Sequence, residues 1–202
     1  MSVMARPFRA LLLAVVASVA VTACESPAGN VSVLQSSTVA VVRGSTYAWA
    51  PISDQARAAA DPRVSNDIIQ ERLRTAVDGA MAARGFRRID DPATAQLLVS
   101  FHVGLQSRTE TQVNTWGGGS RGACGFRGCV GGWGFYGPPQ VDVRNINYTQ
   151  GTLILDVTDR ASGKLAWRAT SDKRVDSSDA TQEGMNAILL EMTRTLPGAT
   201  AG

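Results

Sequence analysis

The side chains of this 202-residue chain best suited to covalent or metal chemistry are its three cysteines and its single histidine. Cys124 and Cys129, with four residues between them, form a local pair. In a compartment that permits disulfides, such a pair is read first as a disulfide. A structural zinc site needs four ligands, which one His and no second Cys pair do not supply, so no metal is expected. His102 lies on the polar side of an alternating segment. A triad needs a nucleophile and an acid within hydrogen-bond reach of it, and the sequence shows neither, so His102 reads as a solvated histidine. Asp156 sits among apolar residues and shares a sheet face with Arg168, one pair out of register. That is a cross-strand ion pair worth at most about 1 kcal/mol. Acid-base chemistry needs a second carboxylate aimed at the same point, and Asp159 has the opposite parity. Glu183 and Glu191 read as helix-surface acids. The sequence nominates no catalytic residue and no cofactor.

One segment stands apart by composition. Trp116 to Pro139 holds ten glycines and no acidic residue. Glycine at that density opposes regular structure through its backbone entropy, so the segment is expected as a loop between a strand ending near Val113 and one beginning near Val141. Phosphate-cradling loops carry Gly-x-x-x-x-Gly-Lys-Ser/Thr leading into a helix. Here the flanks are strands and Lys is absent, which argues against nucleotide binding. Two readings remain. The loop is either an inert hairpin extension closed by Cys124 and Cys129, or an aromatic finger. In the second case Trp116, Phe126, Trp133, Phe135 and Tyr136 contact lipid headgroups, peptidoglycan or a protein partner, since Trp and Tyr favour membrane interfaces.

At the N-terminus, Arg6 and Arg9 precede an apolar run from Ala10 to Val21, which stops at Val21-Thr22-Ala23-Cys24. A spanning helix needs roughly 20 apolar residues, whereas a signal peptide has a shorter h-region and small residues before its cut. Small residues followed by Cys resemble the lipobox of bacterial lipoproteins. The resemblance implies that residues 1–23 are removed and that Cys24 carries diacylglycerol. Two acyl chains hold a protein stably where one does so only marginally. Glu25 follows the cysteine, and lipoproteins kept in the inner membrane more often carry Asp there, so the periplasmic face of the outer membrane is expected. Loss of Arg6 and Arg9 takes Lys plus Arg from 20 to 18 against 17 acids, a mature charge of +1. Nucleic-acid binding, which needs clustered basic residues, is not expected.

The elements that must position these groups follow from periodicity. Residues 24–30, with Pro27 and Gly29, form a short tether. Roughly 180 mature residues suffice for one domain, expected over 31–197 with 116–139 as an insertion and 198–202 as a tail. Val31 to Val42 and Thr46 to Trp49 are strand-like, with Tyr47 and Trp49 on one face. Ile69, Leu73, Val77 and Met81 predict a helix from Ser65 to Arg84, capped by Ser65 and ended at Gly85 with Phe86 packing back. Alternation through Leu97, Val99, Phe101, Val103 and Leu105 predicts a half-buried strand. Two more run from Thr149 to Thr158 and from Lys164 to Thr170. An odd-length loop then sets Val157 opposite Leu165 and Leu155 opposite Trp167. A second helix, carrying Met185, Ile188, Leu189 and Met192, begins near Asp179 with Gln182 completing a capping box. It ends before Pro197. The order β-β-α-β-β-β-α predicts an α+β two-layer sandwich, with a mainly antiparallel sheet and both helices on one face.

Three stretches, Gly151-Thr152-Leu153-Ile154-Leu155-Asp156 after Tyr148, Gly163-Lys164-Leu165-Ala166-Trp167-Arg168, and Leu97-Leu98-Val99-Ser100-Phe101-His102-Val103-Gly104, resemble the bacterial lipoproteins of domain of unknown function 4136. The helix from Ile68 to Gly85 and Tyr47-Ala48-Trp49 fit the same pattern. The resemblance implies location and architecture, since the family has no established biochemical activity. Three roles stay open. The first is a non-enzymatic, lipid-anchored envelope protein with a structural or interaction role, tied to the membrane through Cys24. The second is a hydrolase-like envelope enzyme using an acid and His102. The third is a module for a small apolar or peptide ligand, which requires a concave apolar pocket.

Overall fold

The computed structural model describes residues 26–52, 61–116, 124–125, 128–129 and 140–197. The chain runs β1 (Asn30–Gln35), β2 (Thr46–Trp49), α1 (Asp67–Ala83), β3 (Arg87–Arg88), β4 (Leu97–Trp116), β5 (Cys124–Gly125), β6 (Gly128–Cys129), β7 (Gln140–Asp159), β8 (Leu165–Arg174) and α2 (Gln182–Met192). A six-stranded sheet has the order β1-β8-β7-β4-β2-β3. The fold is α+β, as the sequence implies, but the element order is matched only in part. β3 is additional and β1 stops at Gln35 rather than Val42, while β4 ends at Trp116 and β7 begins at Gln140, near the expected limits at Val113 and Val141.

The sheet is mixed rather than mainly antiparallel. β1, β8, β7 and β4 pair antiparallel, whereas β2 runs parallel to both β4 and β3. The cause is the helix between them. A chain that leaves β2, passes through α1 and returns beside β2 has made a crossover, which delivers a parallel neighbour. β1 ends where the Ser36 hydroxyl accepts from the backbone N–H of Thr38 and Val39, turning the chain out of the ladder.

α1 is capped by Asn66, one residue beyond Ser65, whose side chain accepts from Ile69 N at 3.0 Å. Its end is as expected: Gly85 has φ +85°, Phe86 N–H donates to Met81 O and Gly85 N–H to Ala82 O. This double closure is the Schellman motif, and Phe86 is buried. α2 is capped by Thr181 rather than Asp179. A 3-10 turn, Ser177–Ala180, precedes it and takes Asp179 into a capping box with Asp176. Arg72 donates to Ala180 O and Arg84 to Leu196 O, so the two helices lie side by side with their N-termini at the same end.

The β7–β8 register also differs from expectation. Val157 faces Trp167, Leu155 faces Ala169 and Thr158 faces Leu165, with a bulge at Val157/Thr158. The extra residue shifts the parity. Ala166 and Trp167 are buried, while Leu165 is turned to solvent at 38% exposure. Trp167, Tyr47, Met81, Leu155, Leu189 and Met192 fill the space between sheet and helices.

Candidate functional site

The helix-facing side of β4, β7 and β8 is apolar by alternation, and the two helices cover it unevenly. Near the helix N-termini a cavity of about 230 Å³ opens between the layers. Its floor comes from Val103 and Leu105 of β4, Gly151 and Leu153 of β7, and Ser171 of β8. Ile69 and Leu73 of α1 and Met185, Ile188 and Leu189 of α2 form the wall. Val175 closes one end because position 151 is glycine: a Cβ there would collide with Val175 Cγ1 and meet Leu105 Cδ2 at 3.6 Å. Apolar cavities of roughly 150 Å³ already admit benzene, so this space has room for a small apolar group.

The rim carries charges, and each has a partner within the chain. Lys173 Nζ donates to Asp179 Oδ1 at 2.6 Å and to Pro27 O at 2.9 Å. Arg63 grips Asp61 through Nε and Nη2 and donates to Leu105 O at 3.1 Å. Its guanidinium holds the Asp61 carboxyl below the usual range. Asp176 accepts from the hydroxyl and N–H of Ser178, which lower its pKa in that order. Ser171 Oγ donates to Ala28 O. A ligand here meets apolar walls and a rim whose charges are already matched, which favours a neutral group over an anion or cation.

The opposite sheet face carries the polar candidates. Asp156 and Arg168 stand directly opposite each other, closer than the offset expected, because the observed β7–β8 register differs from the expected one by two residues. Arg168 donates from Nε and Nη2 to the two carboxylate oxygens, both at 2.6 Å. The carboxylate in turn raises the guanidinium pKa. His102 is exposed opposite Ile154, and among the described residues it hydrogen-bonds to no acid or hydroxyl. Among those residues, no three His, Cys, Asp or Glu side chains gather as metal ligands.

Cys124 faces Cys129 and Gly125 faces Gly128 in a separate two-stranded ladder. The expected disulfide is not present in the structure. Cys24, Phe126, Trp133, Phe135 and Tyr136 lie outside the described residues. Trp116 is not in a loop: it is the last residue of β4 and pairs with Gln140. The sequence reading missed the cavity. The outer part of β4 is signalled by the alternate β-branched residues Thr109, Thr111, Val113 and Thr115.

Fold and cavity define an α+β domain with an apolar cleft between its layers. Residues 31–198 match the family model of the Domain of unknown function (DUF4136), and the chain belongs to that family. No curated protein matches the chain. Among solved structures, a PDZ domain protein from Parabacteroides distasonis is similar with a TM-score of 0.48 and 11% identity. The similarity covers 85% of this chain and 36% of that one, so the chain spans about a third of its length. Two structures of the PelC dodecamer from Paraburkholderia phytofirmans, 15% and 14% identical, each give a TM-score of 0.42. They cover 85% and 84% of this chain and 100% of theirs.

Proposed function

We propose that this protein is a lipid-anchored envelope lipoprotein, held through Cys24 at the periplasmic face of the outer membrane, whose domain binds rather than catalyses. Its ligand is a neutral apolar group, either a small molecule or a hydrophobic side chain of a peptide. The observation that carries this reading is the 230 Å³ cavity with apolar walls and a charge-matched rim. Of the three roles open to the sequence, only the binding module requires such a space. The anchor rests on the lipobox resemblance and fits the short tether from Cys24 to β1.

The test is occupancy of the cavity. The mature chain without lipid, residues 25–202, is titrated with a neutral naphthylamine fluorophore. Saturable one-to-one binding is expected. Leu105→Trp, which projects an indole into the space from a half-buried position, is expected to abolish it. Because the indole fills a void, the variant should lose less than the roughly 1–3 kcal/mol typical of overpacking. Absence of saturable binding, or binding unchanged by Leu105→Trp, removes this reading.

A further inference from the structure

β4 and β7 pair without interruption from Leu97↔Asp159 to Trp116↔Gln140. β8 leaves this hairpin early: its last partner is Gln150, opposite Arg174, and Val175 N–H donates to Thr149 O. From Ser107↔Thr149 outward the two strands form a ribbon of ten residue pairs, an arm of about 30 Å at roughly 3.3 Å per residue. Among the described residues, Arg174 of β8 reaches Glu110 and stacks on Tyr148 at the base of the arm, and no strand pairs with the outer edge of β7 beyond Thr149. A two-stranded ribbon is at best marginally stable in water, and a free strand edge is a template for another strand.

The arm carries a pattern suited to one such strand, its own. Val113, Val141 and Val143 lie on one face of it at 57%, 56% and 57% exposure, and Val113 is directly opposite Val143. Thr149 O points outward from β4. By alternation, Asn147, Asn145, Val143 and Val141 present their N–H and C=O groups to the free edge as well. Asp142 and Arg144 flank Val143 on the other face.

We propose that the arms of two copies pair antiparallel along β7, about a two-fold axis through Val143. In that register Val143 meets the second copy's Val143 as a hydrogen-bonded pair, and Val141 meets Asn145. Asp142 meets Arg144 twice, once on each side of the axis. The valines then form a continuous row of four across four strands. Moving the axis by one residue sets Asp142 against Asp142 or Arg144 against Arg144, which opposes like charges. The contact is isologous and closes as a dimer. It does not depend on the cavity or on its ligand.

The test uses the full lipidated chain in membranes, carrying Cys124→Ser and Cys129→Ser so that added thiols are the only free ones. Val143→Cys places two thiols on the axis, within the roughly 4.4–6.8 Å Cα separation a disulfide accepts, and mild oxidation should convert most of the protein to a covalent dimer. Val141→Cys places its two thiols about 13 Å apart along the pair and should give less than about a tenth as much. Adding Asp142→Arg or Arg144→Asp to Val143→Cys should lower the dimer yield about tenfold, and combining both reversals should restore it. No dimer from Val143→Cys, equal yields at positions 141 and 143, or no recovery in the double reversal overturns the proposal. All four positions are solvent-accessible, and an unchanged circular dichroism spectrum verifies that each variant folds.

Discussion

Trp167 and Leu165 sit two residues apart on β8, and the bulge between β7 and β8 sends them to opposite environments. Trp167 is fully buried opposite Val157, and Leu165 is 38% exposed. A buried Trp removes about 150–250 Å² from water, worth roughly 4–6 kcal/mol at about 25 cal/mol per Å². Its indole Nε1 is buried with no partner among the described residues, and the unmade hydrogen bond offsets about 1–3 kcal/mol. Truncation to Ala also leaves a void, so Trp167→Ala is expected to cost about 3–5 kcal/mol. Leu165→Ala, with much of its side chain already wet, is expected to cost less than about 1 kcal/mol. In the register that alternation alone predicts, Leu165 would face Val157 in the core and its truncation would cost about 2–5 kcal/mol. Urea unfolding of the mature domain, followed by far-ultraviolet circular dichroism, measures both as midpoint shifts at constant slope. A loss for Leu165→Ala equal to that for Trp167→Ala would refute the bulged register and the assignment of Ala166 and Trp167 to the interior.

Three further outcomes are expected. Cys24→Ser should leave the precursor uncut or release it from the membrane fraction, and intact-mass analysis of the natural chain should show acyl mass on Cys24. Its absence there ends the anchor reading. Tyr47 is buried and donates to Asp78 Oδ1 at 2.7 Å; burial first, and then this hydrogen bond, push its phenol well above the usual range. The unfolded chain ionises this group near pH 10 while the folded chain keeps it neutral. Its stabilising contribution is therefore full below about pH 10 and declines as pH rises further; Tyr47→Phe should flatten that alkaline limb in unfolding curves. Oxidation of Cys124 with Cys129 closes a very short loop, for which chain entropy supplies about 2 kcal/mol, in a ladder separate from the main sheet. The double Cys→Ser variant should keep its melting temperature, because this ladder opens independently of the core.

Legibility varied with how local the determinant is. Gly85 and Phe86 announced the end of α1 because a left-handed closure is specified by two adjacent residues. The apolar stripes of both helices and the inward positions of β4 were legible because period alone defines them. The parallel placement of β2 was not, since three strands separated only by a helix can be ordered in more than one way and no residue type marks the choice. The bulge on β8 was hidden for a different reason: Leu165, Ala166 and Trp167 are all apolar, so the sequence is silent about which of them turns outward. The cap of α2 was misplaced by a competing local structure. Asp179 has a cap's chemistry, but Asp176 engages it in the preceding turn, and the helix waits for Thr181.

The cavity and the arm have a common origin in a mismatch of lengths, a property that no single segment displays. β4 and β7 are 20 residues each, about 65 Å of strand at roughly 3.3 Å per residue. α1 has 17 residues and α2 has 11, about 25 Å and 16 Å at 1.5 Å per residue. Helices of that length cover only the first part of the hairpin. Tyr47, beside Leu97, is tied to Asp78 in the middle of α1, and Ile69 near its start stands over Leu105. Past Leu105, among the described residues, no helix lies above the apolar face of the sheet. At this boundary the layers part and leave the cavity, edged by the first turns of both helices. Beyond it the strands continue as a ribbon with valines on the face that was the core side nearer the body. Shortening the arm by deleting equal numbers of residues from β4 and β7 outside Gln106 and Gln150 should therefore remove dimer formation and leave fluorophore binding intact, whereas Leu105→Trp should do the reverse. If either change abolished both activities, cavity and arm would be one functional surface rather than two consequences of one geometry.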